Sequence, residues 1–183
     1  MEFLTVCLTS ASGLDIRLRR QFTVLLAPLN HINLHVRGGY ILPWQEPANN
    51  TYYSRQNPMS LTAALDDEGK AEGWLFWDDG QSINTYEEGW YYLANFSVRQ
   101  NKLENHIVHN QYVVATRPLW LGYIYIWGAG TAPITHVDIT YNHQNFPLTN
   151  FQHDQTTQVL SMDLITHSIS LEYPFVVTWR SSS

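Results

Sequence analysis

The stretch GWLFWDDGQS, from Gly73 to Ser82, joins an alternation of large apolar residues to two carboxylates and a glycine. In an extended chain Trp74 and Phe76 lie on one face and Leu75 and Trp77 on the other, which is the period of a β-strand. Asp-Gly after such an alternation is typical of a hairpin, because glycine readily adopts the positive φ of the turn. The stretch therefore predicts a strand and a turn of an all-β domain.

Similar short runs fill much of the chain and are separated by Gly, Pro, Asn and Asp. The run HINLHV, residues 31–36, alternates in the same way and is expected to break at Gly38-Gly39 and to stop at Pro43. Nine later runs are predicted strands: SLTAALD, GWLFWD, WYYLANFSV, HIVHNQYVV, LWLGYIYIWG, ITHVDITY, QVLSMDL, SISLEY and FVVTWR. Together they predict an antiparallel β-sandwich with little helix.

The polar stretch PWQEPANNTYYSRQNP, residues 43–58, is rich in Pro and Asn and lacks apolar periodicity. It is predicted to connect two domains or two sheets. The part before it is too short to bury both faces of a small sheet, whereas residues from about Thr51 to Arg180 are enough for a domain that folds alone.

Asp78 and Asp79 are the first carboxylates to weigh as a glycoside-cleaving pair. Such a pair lies about 5 to 9 Å apart across a sugar ring. Neighbouring side chains diverge in a turn, so a structural turn is the expected role here, and also for Asp66-Asp67-Glu68-Gly69. A more distant partner, Glu87 or Glu88, is the remaining catalytic alternative.

No metal, cofactor or nucleophile pattern emerges from the sequence. His31 and His35 would lie about 13 Å apart on a strand, and His106 and His109 would point to opposite faces. The single cysteine, Cys7, excludes an internal disulfide. The sequence contains no Gly-x-Ser-x-Gly elbow and no phosphate-binding loop before a helix. Neither a metal site nor a cofactor is predicted.

Charge and targeting signals limit the kinds of partner and the cellular location expected for this chain. The chain has 10 Lys+Arg against 16 Asp+Glu, a net charge of -6, so nucleic acid is not an expected partner. No apolar run approaches the roughly 18 residues of a membrane span. The opening MEFLTVCLTSASG is not a convincing signal peptide. Asn49-Asn50-Thr51 and Asn95-Phe96-Ser97 are candidate N-glycosylation sites if the chain enters the secretory pathway.

Tryptophan and tyrosine rings offer a second kind of site, because exposed rings can pack against sugars. Trp44 and Trp90 adjoin predicted loops and are the candidates for an exposed carbohydrate-binding surface. The other tryptophans weighed for this role are expected mainly to fill the core: Trp74, Trp77, Trp120 and Trp127.

Three segments carry a family resemblance: APLNHINLHVRGGYILPWQEP, SRQNPMSLTAALDDEG and GWLFWDDGQSINTY. They closely resemble the region after the catalytic barrel in the intestinal maltase-glucoamylase and sucrase-isomaltase group of glycoside hydrolase family 31. The resemblance spans about Leu14 to Arg180. In that family a (β/α)8 barrel performs retaining hydrolysis of α-glucosides, and a proximal and a distal C-terminal β-sandwich follow it.

The resemblance implies three parts: a divergent N-terminal segment (1–13), a remnant of the proximal sandwich (14–47) and a complete distal sandwich (48–183). The family's nucleophile lies in a Trp-x-Asp-Met-Asn-Glu stretch, which this chain lacks. No catalytic residue can be carried over, and the chain alone is not expected to be an enzyme. HINLHV is expected to lack the partner strands that the missing part of the proximal sandwich would supply.

Two functions follow as expectations. The first is a non-catalytic region that braces the parent enzyme's catalytic barrel, its implied partner. The alternative is a module that binds α-glucan oligosaccharides through exposed Trp or Tyr rings. The resemblance also implies that the parent works in the secretory pathway, outside the cell or at its surface.

Overall fold

The computed structural model describes residues 4–8, 16–19, 29, 34–115 and 118–181. Its first elements are β1 (Leu4–Leu8), β2 (Ile16–Arg19), β3 (Leu34–Arg37), β4 (Tyr40–Gln45) and the short helix α1 (Thr51–Ser54). Next come β5 (Met59–Ala64), β6 (Ala71–Trp77), β7 (Tyr92–Arg99), β8 (Lys102–Asn110) and the short helix α2 (Tyr112–Ala115). The later strands are β9 (Trp120–Trp127), β10 (Ile134–Tyr141), β11 (Gln144–Pro147), β12 (Phe151–Asp154), β13 (Val159–Asp163), β14 (Ile169–Ser170) and β15 (Phe175–Ser181).

These strands form a small and a large sheet. β1 lies between β2 and β3 in a three-stranded antiparallel sheet. The others form one curled sheet in the order β11-β10-β15-β8-β7-β6-β4-β5-β9-β13-β12, with β14 paired to β9. The predicted all-β class is confirmed. The large sheet is mixed rather than purely antiparallel, because β4 runs parallel to β6 and β5 runs parallel to β9.

The large sheet curls around a main apolar core, and a smaller buried cluster contains Ala64 and Trp127. Along β7, buried residues alternate with partly exposed ones, and Phe96 is fully buried near Phe175. Along β6, Leu75 is buried while Trp74 and Phe76 are exposed, so the predicted alternation of GWLFW is confirmed, but the expectation that Trp74 fills the core is wrong. The side of β4, β6 and β7 that faces away from this core is here called the outer face; it carries Tyr40, Leu42, Trp74, Phe76 and Asn95.

The strands on the two sides of the predicted domain boundary pair with each other. β4 pairs with β5 from Tyr40 and Ala64 to Gln45 and Met59. The expected stop at Pro43 is wrong, because β4 continues to Gln45. The parallel ladder between β4 and β6 joins Tyr40 to Glu72, and Pro43 lies beyond it, where a missing N–H is tolerated. The division into 1–13, 14–47 and 48–183 remains a prediction.

The expected break after HINLHV is confirmed, since Gly38 and Gly39 form a turn and Gly39 has a φ of +94°. Residues 31–33 lie outside the described residues. The rest of this run, in β3, pairs with β1, and Val36 packs against Ala64 and Trp127. This strand therefore has one described partner, β1, and lies at the edge of the small sheet, and the absence of strands from the rest of a proximal sandwich remains a prediction.

Each of the nine predicted runs contains a strand, but four strands (β1, β2, β11 and β12) and both short α-helices were missed. β11 and β12 have the sequences QNFP and FQHD, whose few apolar residues give no clear alternation. The segment YVVA, read as the end of a strand, forms α2. The low helical content is as predicted.

The direction of the strands separates two ends of the large sheet. The loop end is defined by three connections: 46–58 between β4 and β5, 78–91 between β6 and β7, and 111–119 between β8 and β9, of which residues 116 and 117 are not described. The turn end is defined by 65–70 between β5 and β6, 100–101 between β7 and β8, and 128–133 between β9 and β10.

Candidate functional site at the loop end of the sheet

The loop end exposes large side chains that the turn end does not. Tyr52 is 68% exposed, Ile83 84% and Tyr86 63%, and Tyr53 is also exposed. The connections of the turn end contain no exposed large hydrophobic residue. Single exposed apolar residues are common on protein surfaces, but several gathered at one end indicate a surface that another body covers.

Asp78 organises the long connection 78–91. Its Oδ1 accepts a hydrogen bond from the Gly80 backbone N–H (2.8 Å), and its Oδ2 accepts one from the Thr85 hydroxyl (2.7 Å). Gly80 has a φ of +71°, as the Asp-Gly signal predicts. β6 and β7 are antiparallel neighbours, but the connection between them is a long loop rather than a tight turn.

Arg55 ties the α1 connection to this loop. Its guanidinium lies over the Trp77 ring, 3.9 Å from the ring centre, and its NH2 donates to the carbonyl oxygen of Asp78. α1 is held at its start by Asn50, whose side-chain oxygen accepts from the Tyr53 N–H (3.0 Å). A cation over an indole and a hydrogen bond together fix the positions of the two connections relative to each other.

Asp79 is held ionised by the turn. The Ser82 hydroxyl and the backbone N–H groups of Ser82 and Gln81 all donate to its carboxylate, and these bonds lower the pKa of Asp79 to about 2. A carboxylate with this pKa does not hold a proton near neutral pH. The two acids thus make separate sets of hydrogen bonds within one loop.

A row of stacked rings holds the far part of the loop against the outer face. Tyr91 stacks on Phe76 (5.2 Å between ring centres), on Tyr86 (5.1 Å) and on His109 (4.2 Å). His109 Nε2 also donates to the carbonyl oxygen of Gly89 (2.7 Å). These contacts give the loop a defined position although it contains no strand.

Between the connections of the loop end lies a cleft of about 620 Å³. Its polar lining includes Arg55 and Asp79, and its apolar lining includes Trp77 and Leu119. Amide and aromatic side chains complete the wall: Gln45, Gln56, Gln81, Tyr52 and Tyr112. The cleft thus combines rings, amides and one charge of each sign, a set suited to a neutral, hydroxyl-rich ligand.

The two tryptophans predicted to be most exposed are partly buried, and neither lines the cleft. Trp44 donates its indole N–H to the Thr62 hydroxyl (3.0 Å) and stacks on Tyr125. Trp90 meets Tyr112 edge to face. The expected order of exposure is wrong, because Trp74 (55%) and Trp120 (42%) are the exposed ones. A sugar-binding role for Trp44 and Trp90 remains a prediction.

The glycosylation candidates lie in different settings. Asn49 is in an exposed bend of the loop end, whereas Asn95 is partly exposed on β7. Within the described residues, no group of three or more His, Cys, Asp and Glu side chains could hold a metal ion. His31 is not described. Across the same part of the chain, no helix has the length and apolarity needed to cross a membrane.

The sequence did not mark Arg55 and Thr85, which both donate hydrogen bonds to Asp78. Arg55 lies in a polar stretch that was taken as a connection, and nothing local marks its contact with Trp77, which is 22 positions later. Only the Asp-Gly turn chemistry was available as a signal for the loop.

Comparison with known proteins finds relatives that match most of this chain. The chain is 55% identical over 159 residues to the human protein "Probable maltase-glucoamylase 2", a match that covers 87% of this chain and 6% of that protein. It is 46% identical over 168 residues to intestinal sucrase-isomaltase of Suncus murinus, covering 92% of this chain and 9% of the relative. No family model matches.

The fold has solved counterparts. The glucosidase II α subunit with bound α3-Glc2 superimposes with a TM-score of 0.77 at 19% identity, covering 97% of this chain and 20% of that one. The chain thus spans less than a tenth of the two curated relatives and about a fifth of this structure. It belongs to the glycoside hydrolase family 31 α-glucosidases and corresponds to a small part of such an enzyme.

Proposed function

We propose that this chain is the non-catalytic C-terminal β-sandwich region of a family 31 α-glucosidase, and that its loop end packs against the catalytic barrel of the parent enzyme. The observation that carries the proposal is the set of exposed rings at the loop end, with no counterpart among the exposed residues at the turn end. Burying a large apolar side chain contributes about 1.5–3 kcal/mol, so a few such residues suffice to hold a domain in place.

The part of the parent enzyme outside the matched segment is the body that would cover the loop end. The matches cover 6% and 9% of the two curated relatives, which leaves most of such a protein outside the matched segment. The nucleophile stretch of the family is not among the residues of this chain. Both observations support a supporting role here and catalysis elsewhere in the parent.

The state of Asp78 and Asp79 supports the same proposal. The Asp78 carboxylate accepts hydrogen bonds from Gly80 and Thr85, and hydrogen bonds from Ser82 and Gln81 keep Asp79 ionised. A glycosidase needs one carboxyl group that stays protonated at working pH, and the pKa of Asp79 is shifted in the opposite direction. A relative is described as intestinal sucrase-isomaltase, so we place the parent in the secretory pathway, outside the cell or at its surface.

A chimera tests the bracing role. Residues 14–181 would replace the matching segment of human probable maltase-glucoamylase 2, and secreted protein and its melting temperature would be measured. The loop-end double variant Tyr52→Glu/Ile83→Glu is expected to lower the secreted yield by about threefold or more. The matched control, Tyr40→Glu/Leu42→Glu, changes two exposed residues of the outer face and should leave the yield unchanged.

The isolated chain is needed as a second control. Both double variants should melt within about 1 °C of the wild-type chain, because the substituted residues are exposed there. Equal losses for the two variants in the chimera would contradict the proposal. Release of glucose from maltose by the purified isolated chain, above the buffer blank, would contradict its non-catalytic part.

The cleft favours a second candidate function, the binding of a neutral oligosaccharide. A pyranose has an apolar C–H face and a rim of hydroxyls, and the cleft offers Tyr52 for the first and Gln45, Gln56 and Gln81 for the second. Maltotriose titration of the labelled chain, followed by nuclear magnetic resonance, distinguishes the two candidates. Saturable shifts at these glutamines that are lost in Gln81→Ala would support binding; unchanged spectra at millimolar sugar would remove this candidate.

A further inference from the structure

The sequon Asn95-Phe96-Ser97 lies in the middle of β7, on the outer face of the large sheet. Phe96 is fully buried, so its neighbours Asn95 and Ser97 point away from the core. β7 runs between β6 and β8, and the residues paired with Asn95 are Trp74 and His106. The acceptor side chain is therefore partly exposed and next to an indole ring.

The amide of Asn95 points toward β6. Its Nδ2 donates to the Glu72 carboxylate (3.0 Å) and to the Gly73 carbonyl oxygen (3.2 Å). A group attached to Nδ2 must leave in the direction that its N–H bonds now take. That direction leads over β6 at Glu72 and Gly73, next to Trp74, and the sugar would replace the hydrogen bond to Glu72.

Trp74 is more than half exposed and lies beside Phe76, which is also exposed. These two rings occupy successive outward positions of β6 and, with Leu93 opposite Phe76, form an apolar patch beside Asn95. The C–H face of a sugar ring fits such an indole, as apolar faces do in aromatic contacts generally.

We propose that Asn95 carries an N-linked glycan whose first N-acetylglucosamine packs on Trp74. The donor is an oligosaccharide linked to a lipid diphosphate, used by the host's oligosaccharyltransferase. A bond forms between Nδ2 of Asn95 and C1 of the sugar, the bond from C1 to the diphosphate oxygen breaks, and the amide loses one proton as the lipid diphosphate leaves. The modified amide keeps one N–H, which suffices for the bond to Gly73.

Asn49 provides an internal comparison. It lies in an exposed bend, and the next residue, Asn50, caps α1. Asn49 has loop residues on either side, whereas the pairing of β6 with β7 brings Trp74 beside Asn95. Asn49 lies outside any strand and so has no ladder partner of the kind that Trp74 is for Asn95.

The test uses the full chain secreted from mammalian cells behind an added signal peptide. Mass spectrometry is expected to find the glycan at Asn95 in the wild type and in Asn49→Gln, and to lose it in Asn95→Gln and in Ser97→Ala. Absence of a glycan at Asn95 in the secreted wild type would overturn the proposal, whatever Asn49 carries.

Packing on Trp74 is tested by a cycle of four proteins: the wild type, Trp74→Ser, Ser97→Ala and the double variant. The glycan is expected to raise the melting temperature by about 3 °C when Trp74 is present and not when it is serine. Trimming the glycan to one N-acetylglucosamine should keep this rise. Phe76→Ser, two residues along the same face, is the matched control and should retain it. A glycan-dependent rise that is equal with and without Trp74 would overturn the packing claim.

Discussion

The two ends of the large sheet join their strands in different ways. At the turn end, β7 passes to β8 through Gln100 and Asn101, both with positive φ, and the acidic turn at 65–70 closes around Asp66. At the loop end, the connection 78–91 is held by Arg55 from another connection and by the rings of Phe76 and His109, which stack on its Tyr91. The short turns are held by their own residues, whereas the long connection also needs partners from other parts of the chain. The longer ones are also where exposed rings collect.

The largest expected effect concerns backbone packing near the turn end. In Gly73→Ala the new Cβ would lie 2.1 Å from the carbonyl oxygen of Ile41, so β4 and β6 would have to separate. We expect a loss of about 3 kcal/mol in the free energy of unfolding, the upper range for overpacking. Urea unfolding of the isolated chain measures it.

Gly69→Ala is the control for that experiment. Gly69 has a φ of +70° and no atom within 4 Å of a new Cβ, so only backbone strain remains, about 1 kcal/mol. If both alanine variants cost the same, close approach of β4 and β6 is not what Gly73 provides.

The next largest loss of stability is expected from replacing an aspartate, and it should differ between the loop end and the turn end. Asp78→Ala should cost about 2 kcal/mol, because the buried Thr85 hydroxyl and the Gly80 N–H lose their acceptor. Asp66→Ala should cost about 1 kcal/mol, since the N–H groups of Glu68 and Lys70 that it accepts from can turn to water. Chemical denaturation of both variants decides; a larger cost at Asp66 would reverse the proposed difference between the ends.

A stabilising change at the turn end is expected to be smaller still. Gln100 and Asn101 have φ values of 52° and 57°, the left-handed values of a two-residue hairpin turn. Replacing them by Asn-Gly, which prefers this turn, should raise the free energy of unfolding by about 0.5–1 kcal/mol. A thermal melt shows the gain, and a destabilised double variant would mean that the turn is not of this type.

The smallest effect is a pH dependence at the loop end. The pKa of Asp79 falls from 3.8 to about 2 on folding, so its contribution is present above pH 3.8 and is lost as the pH falls toward 2. Asp79→Asn should therefore be slightly less stable than the wild type at pH 7, and the two should converge at pH 2. A constant difference across that range would show that the carboxylate charge is not involved.

Much of the fold is local and was predictable. The alternation in GWLFW correctly placed Leu75 and Trp74 on opposite faces, although it did not show which face is buried, and Asp-Gly predicted the positive φ of Gly80. The polar strand FQHD was not predictable, because its place beside β13 is decided by pairing rather than by its own side chains. Trp44 was misjudged for the same reason: Thr62 and Tyr125, which shield it, are distant in sequence.

The candidate site was less accessible than the fold. Its cleft is built from three connections that the sheet brings to one end, and its fixed contact, Arg55 on Trp77, joins two of them. No local pattern encodes that meeting. The family resemblance pointed to the right protein class, but it supplied no residue of this surface.

Hydroxyl-radical footprinting of Tyr52, Ile83 and Tyr86 tests the central claim most directly. Labelling of these residues would be compared between the isolated chain and the chimera with probable maltase-glucoamylase 2, with Tyr40 and Leu42 as outer-face references. The account predicts that the loop-end residues, exposed in the isolated chain, become protected in the chimera while the references stay labelled. Equal labelling of Tyr52, Ile83 and Tyr86 in both proteins would contradict the proposal that the loop end packs against the parent enzyme.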